Sequence, residues 1–395
     1  MNKYNNFIII LNEIFSIDWK YGRAILYFSL SICISLILYY HLSIGPIMSS
    51  DSQSYSEWAD TLIKLNFNLY KYYSQNTFIN PNYIYTIPVF LIAILKIFFG
   101  SEWQIAFVYL NLLLLTLSLI IFSKSLLLLK VRPFIISFAI PILTLSVDLL
   151  TWPRYMLTDM IFSFLVLLLI FITIKDIVKK QISYLSLLLI IILIYLTRPT
   201  SLPFILAIIS FIGLTKLKYS PRFILQSHLF LIIFVPFLFA IIFKFMSTYL
   251  PNVPQVIFLV EMVNNGMVIH DRPETWISAP NSFFDLSYLY FIRFIFFFNP
   301  YAETFSSIHI ILNVLQSLLI FFSICIFLVS KKKIESMNNS VILILITSLY
   351  VAFFHSFTLI DYDWRYRFPI IIPLIMIFPI SFEIILRRLL NKINV

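Results

Sequence analysis

The sequence predicts an all-α polytopic membrane protein: one membrane domain over residues 1–395, a bundle of about ten transmembrane helices with juxtamembrane helices in its outer loops. Three observations predict it. Apolar residues make up 61% of the chain and charged ones 12%, and the mean hydropathy is +0.96. That is more apolar surface than a soluble domain can cover. The apolar residues fall in long continuous runs rather than in alternation, which selects helices over a closed barrel. Lysines cluster in every second connection between runs, the pattern of loops that stay in the cytoplasm.

In chain order, residues 1–23 carry Lys3, Lys20 and Arg23, so the N-terminus is expected inside. A first run, 24–44, crosses outward as a retained signal anchor, since no small-residue cleavage site follows it. The first outer region spans 45–103. Within it Tyr55, Ala59, Leu62 and Ile63 share a helical face, and Ser54 with Glu57 fits a capping box, so a short amphipathic helix is expected at the interface. Residues 83–99 and 104–123 are both apolar. The flanking charges allow only one of them to cross, and the shorter, which follows Asn80-Pro81 and holds Pro88 and Lys96, is read as juxtamembrane or re-entrant. Crossings are then expected at 133–150, 157–174, 183–197, 199–214 and 223–247. A second large outer region, 247–305, contains an interfacial element over 288–298, ending at Asn299-Pro300. Crossings at 306–329, 340–358 and 368–386 complete the chain, with both termini cytoplasmic in a cell membrane.

Sorting charges by side supports this order. The cytoplasmic side receives 18 of the 28 Lys and Arg and 5 of the 18 acids. Thirteen of those 18 bases are lysines, whereas six of the ten outer bases are arginines: Arg154, Arg198, Arg272, Arg293, Arg365 and Arg367. Arginine's planar fork binds phosphate oxygens with two hydrogen bonds. An arginine near hydrocarbon costs roughly 3 kcal/mol at full depth, so each needs an anionic partner. The net charge of +10 is therefore read as membrane orientation, not nucleic-acid binding. Cys33 and Cys325 lie inside apolar runs and suggest no disulfide framework, and the five histidines have no metal-ligand spacing.

Three outer clusters combine acids, arginines and aromatic rings: Asp51 with Tyr55 and Glu57; Asp148 through Trp152, Arg154, Tyr155 and Asp159; and Asp361, Asp363, Trp364, Arg365 and Arg367. Thr197-Arg198-Pro199-Thr200 adds a smaller corner. Rings stack on sugar faces, arginines hold phosphate, and a carboxylate accepts a hydroxyl proton. Each residue also has a plainer reading. Asp51 and Asp159 suit helix caps, Asp159 could pair with Arg154, and Arg365 and Arg367 could anchor the interface or pair with Asp361 and Asp363. Trp152 and Trp364 suit an aromatic belt. His270-Asp271-Arg272 reads as polar loop.

These residues in this order resemble glycosyltransferases of the GT-C superfamily, of the polyprenyl-phosphate-sugar-dependent, protein-mannosyltransferase (family 39-like) type. The resemblance covers most of the chain. It rests on Asp51-Ser-x-x-Tyr55 after the first run, the apolar element after Asn80-Pro81, Tyr155-Met-Leu-Thr-Asp159, Thr197-Arg198-Pro199-Thr200, and Arg365-Tyr-Arg-Phe-Pro369. It implies a GT-C-like bundle with a catalytic carboxylate at Asp51, a second acid at Asp159, and a donor-phosphate pocket from Arg154, Arg198, Arg365 and Arg367. Tyr55, Glu57, Trp152, Tyr155, Asp363 and Trp364 are then expected to line the substrate. Where mannosyltransferases of the family carry adjacent Asp and Glu, this chain has Asp51-Ser52. The implied reaction is inverting transfer of a sugar from polyprenyl phosphate to a hydroxyl of a glycan, lipid or protein on the extracytoplasmic face, as part of cell-envelope glycan synthesis. The resemblance names no definite cofactor, and a divalent cation stays open. The rival readings are an O-antigen or capsule polysaccharide polymerase and a lipid-linked sugar flippase or transporter.

Overall fold

The computed structural model describes residues 2–74, 82–253, 256–257, 260–261, 282–301, 305–330, 334–357 and 364–393. Among them the chain is helical throughout, joined by short turns. Seven helices are long and apolar enough to cross a membrane, eight if one bent pair counts as a single span. The protein is an all-α polytopic membrane protein.

The chain forms two compact units, one of residues 1–201, 311–341 and 368–395, the other of 202–310 and 342–367. The first unit opens with α1 (Asn2–Ile44), whose helix begins well before the apolar run. It stops where Gly45 takes φ +81, a left-handed conformation that glycine adopts freely, and Pro46 prevents continuation. Then come α2 (Ser50–Lys64) and α3 (Leu69–Ser74). The capping box at the start of α2 is Ser49 with Ser52, not Ser54 with Glu57. Ser54 lies inside the helix and hydrogen-bonds the Ser50 carbonyl. The expected apolar face is present: Ser52, Tyr55, Ala59 and Leu62 are buried, with Ile63 half-buried.

The face of α2 packs on α4 (Thr86–Phe99). At 14 residues, α4 extends about 21 Å, short of the ~30 Å hydrocarbon layer. Gly100, at φ +54, separates it from α5 (Trp103–Leu128). The expected crossing at 133–150 is broken: α6 (Pro133–Thr144) and α7 (Val147–Thr151) with its following turn meet at 57°. Next are α8 (Asp159–Lys179) and α9 (Tyr184–Tyr195). The 12 residues of α9 extend only about 18 Å, so the expected crossing at 183–197 is not among the spans counted; the expected crossing at 223–247 is not among them either. The unit is completed by most of α13 (Ser307–Val329), the start of α14 (Glu335–Phe357) and α15 (Phe368–Ile393). Helices α5 and α15 pack on α8 and on each other, α6 packs on α15 and α5, and α1 packs on α6. Phe107, Phe122, Ile136, Met160, Val166 and Ile375 are fully buried there.

Charge divides this unit into two ends. At one, Glu383 of α15 is fully buried and accepts from Arg387 Nε (2.6 Å) and the Arg132 backbone N–H (3.1 Å), with Arg132 Nε at 3.4 Å. Lys130 sits beside them, its carbonyl bonded by Arg387. At the other end lie the start of α8, the end of α9 and the exit from α1.

The second unit holds α10 (Leu202–Lys216), α11 (Pro221–Tyr249), α12 (Phe283–Phe296) and the remainder of α14. Helix α12 is the element expected over 288–298, starting earlier behind a Ser282–Asp285 capping box. Along α11, Phe230, Ile233, Phe234 and Phe237 face outward, as side chains in contact with lipid do.

Candidate functional site

The end of the first unit that receives α1 collects most of the sequence-predicted residues. Its organising contact is a short backbone bridge. Ile47, in the extended stretch after α1, donates to the Arg154 carbonyl (3.0 Å), and Met156 donates back to Ile47 (3.4 Å). The first and second clusters are thereby joined across the bundle.

Four residues beyond the bridge, Asp51 occupies the first turn of α2, half-buried. The Ser49–Ser52 box fixes the helix start (3.1 and 3.3 Å), and acids are favoured in that turn by the helix dipole. Tyr55, one turn on, shares the face of Asp51. It is buried among rings, with Trp58 at 5.6 Å and Tyr85 at 5.3 Å between centroids. Glu57 points elsewhere: it is exposed and accepts from Gln53 (3.1 Å). Asp60 is held by Lys96 of α4 (2.6 Å).

In the second cluster, Trp152 is buried, bonded to Asp148 (3.4 Å) and packed on Tyr155 at 5.4 Å. It is placed as a core residue, with little face to offer a sugar. Tyr155 is half-buried. Arg154 sits on the single 3-10 turn before it. Its guanidinium lies 5.9 Å from the Tyr40 ring centroid, a cation–π contact. Among the described residues its buried Nε has no hydrogen-bond partner and its guanidinium makes no ion pair.

Asp159, the first residue of α8, is fully buried and ion-paired with Arg198, itself buried. The Arg198 guanidinium also lies 6.0 Å from the Phe162 ring. Asp159 therefore meets the fourth corner, rather than Arg154, and the two charges compensate one another. The start of α4 is tied to the same corner, since Ile87 donates to the Leu196 carbonyl (3.1 Å).

In the second unit, Arg365 and Arg367 lie on the turn Trp364–Arg367. Arg365 is half-buried. Arg367 is buried and bonds the Asn299 carbonyl (2.5 Å). Next to it Tyr366 packs on His355 at 4.6 Å, and His355 stacks on Phe297 at 5.4 Å. Arg293 and Tyr290 are buried on the face of α12 that also carries Phe297, and burial raises the Tyr290 hydroxyl above its ordinary pKa. Asp361, Asp363, the Trp364 side chain, Asn80-Pro81 and His270-Asp271-Arg272 lie outside the described residues.

Two residues escaped the sequence reading. Asn111, fully buried in α5, donates through Nδ2 to the carbonyls of Pro153 (3.1 Å) and Tyr155 (3.2 Å). Glu383 anchors the opposite end. Each is a strongly polar side chain inside a predominantly apolar run, which was a usable signal because such residues survive in hydrocarbon only with a partner. Among the described residues no three His, Cys, Asp or Glu side chains come together as a cation site. Compared with models of protein families, with curated proteins and with solved structures, the chain has no match.

Proposed function

We propose that the protein is an integral-membrane glycosyltransferase of the GT-C type, moving a sugar from a polyprenyl-phosphate donor to an acceptor hydroxyl on the extracytoplasmic face. The supporting observation is the Ile47–Arg154 bridge. It brings to one end of one unit a half-exposed carboxylate at a helix start, Asp51, and a guanidinium without an ion pair among the described residues, Arg154. The basic cluster of Lys130, Arg132 and Arg387 lies at the other end, which suits a cytoplasmic face there.

In this reading Asp51 takes the proton of the acceptor hydroxyl as its oxygen forms a bond to the anomeric carbon. The bond from that carbon to the phosphate oxygen breaks on the opposite side, with inversion. Polyprenyl phosphate leaves as an anion that needs no strong acid, so one base suffices. Arg154 holds the phosphate and stabilises the charge that grows on it. Asp159 and Arg198 are assigned a supporting role: as a buried, mutually neutralising pair they brace the start of α8 beneath this end. Arg365 and Arg367 of the second unit retain their assignment to donor phosphate on the chemistry of the guanidinium fork alone.

The test is incubation of the purified protein in liposomes with a radiolabelled polyprenyl-phosphate sugar and an extract of cell-envelope glycans. Label appearing on a new acceptor, with stoichiometric polyprenyl phosphate, supports the proposal. Label crossing the bilayer on intact donor would instead establish a flippase.

A further inference from the structure

We infer that Asn111 is a positioning residue: its carboxamide, from the third turn of α5, holds the Trp152–Tyr155 turn in the shape that presents Arg154 and receives Ile47. The inference rests on the proposed reaction for its functional consequence, but not for its structural one.

The segment between α7 and α8 is irregular chain inside a membrane protein. Irregular backbone needs partners for its carbonyls, because hydrocarbon offers none. Asn111 supplies them for Pro153 and Tyr155 (3.1 and 3.2 Å). Both neighbours are carbonyl acceptors, so the amide's NH2 must face them and its orientation is fixed by chemistry. The residue between those two carbonyls is Arg154, and Arg154's own carbonyl points the other way, to the Ile47 N–H (3.0 Å). One carboxamide thus grips the turn from the core side while the exit strand of α1 grips it from the other. His41 repeats the arrangement one step earlier, with Nε2 bonded to the Leu149 carbonyl (2.9 Å).

Asn111 Oδ1 is buried and accepts no hydrogen bond among the described residues, and the residue is fully buried in a predominantly apolar helix. Leucine would pack there better if packing were all that mattered. Burial of a polar amide at this depth is explained by its two donated bonds. Asn111 touches the turn and not Asp51, so it acts through Arg154 and the Ile47 bridge.

The experiment is Asn111→Leu and Asn111→Gln in the full chain, with two readouts. Hydrogen exchange on the detergent-solubilised protein reports the Ile47 and Met156 amides. Asn111→Leu is expected to speed their exchange about tenfold or more, with Asn111→Gln between it and the parent. Steady-state transfer reports function: Asn111→Leu is expected to lower kcat about 100-fold through misplacement of the turn. Asn111→Gln, which keeps the donor, should recover part of that loss. Unchanged exchange at both amides in Asn111→Leu overturns the inference, whatever the turnover. Faster exchange with parental kcat overturns the positioning role. If Asn111→Leu does not fold, parental exchange and turnover in Asn111→Gln together with Asn111→Ala overturn it. A parent protein that transfers no sugar rejects the glycosyltransferase proposal and with it the functional role assigned here, while the exchange data still decide the structural link.

Discussion

Arg198 and Asp159 form a buried ion pair across 39 residues of sequence, joining the turn that ends α9 to the first residue of α8. Neither charge is dispensable alone. Removing one partner of a buried pair leaves the other uncompensated, at a cost of about 3–5 kcal/mol, whereas replacing both with apolar groups is often neutral.

Asp159→Leu and Arg198→Met are therefore each expected to lower thermal stability in detergent severely. The double substitution should regain most of it and keep measurable transfer. A double variant that is stable yet wholly inactive would return Asp159 or Arg198 to the chemistry.

At the opposite end of the first unit, Glu383 holds Arg132, Arg387 and an N-terminal N–H of α6 together. Both arginines are partly exposed, so solvent screens part of the attraction. Glu383→Gln is expected to cost about 2 kcal/mol, read as a lower unfolding midpoint, with transfer kinetics at permissive temperature unaltered. A kinetic defect without loss of stability would contradict the structural role.

Arg154→Lys keeps the charge and loses the two-pronged geometry. It is expected to raise KM for the lipid-phosphate donor about tenfold, with a larger rise for Arg154→Ala. Donor KM that is the same in all three proteins would remove Arg154 from phosphate binding.

Gly45→Ala tests the end of α1. A Cβ there meets nothing within 4 Å, so the only penalty is the left-handed backbone at φ +81, about 1–2 kcal/mol. Thermal unfolding should show a loss of that size and no steric catastrophe.

Much of this architecture was legible in the sequence, for identifiable reasons. Long apolar runs and lysine-marked connections placed α1, α5, α8, α13, α14 and α15, because a bilayer imposes length and charge asymmetry on any helix that crosses it. The α2 face showed in the spacing of Tyr55, Ala59 and Leu62. Its start did not: Ser49, Ser50, Ser52 and Ser54 all suit an N-cap, and only the tertiary position of the chain after Pro46 chooses Ser49. The break between α6 and α7 was hidden because residues 133–150 are predominantly apolar, and hydropathy does not report a bend. The geometry of the candidate site was half legible. Residue chemistry picked out Asp51, Arg154, Asp159 and Arg198, but not that Asp159 would take Arg198 rather than Arg154. Pairing is decided by which helix ends meet, and sequence distance carries no information on that.

The most direct measurement is transfer from radiolabelled polyprenyl-phosphate sugar by the parent protein and by Asp51→Asn, each reconstituted in liposomes, with thermal unfolding as a control for folding. Asparagine keeps the size of the side chain and removes its basicity, so an unchanged unfolding midpoint with kcat reduced about 100- to 10,000-fold is expected. Transfer by Asp51→Asn at close to the parental rate would contradict Asp51 as the base, and with it the proposed mechanism.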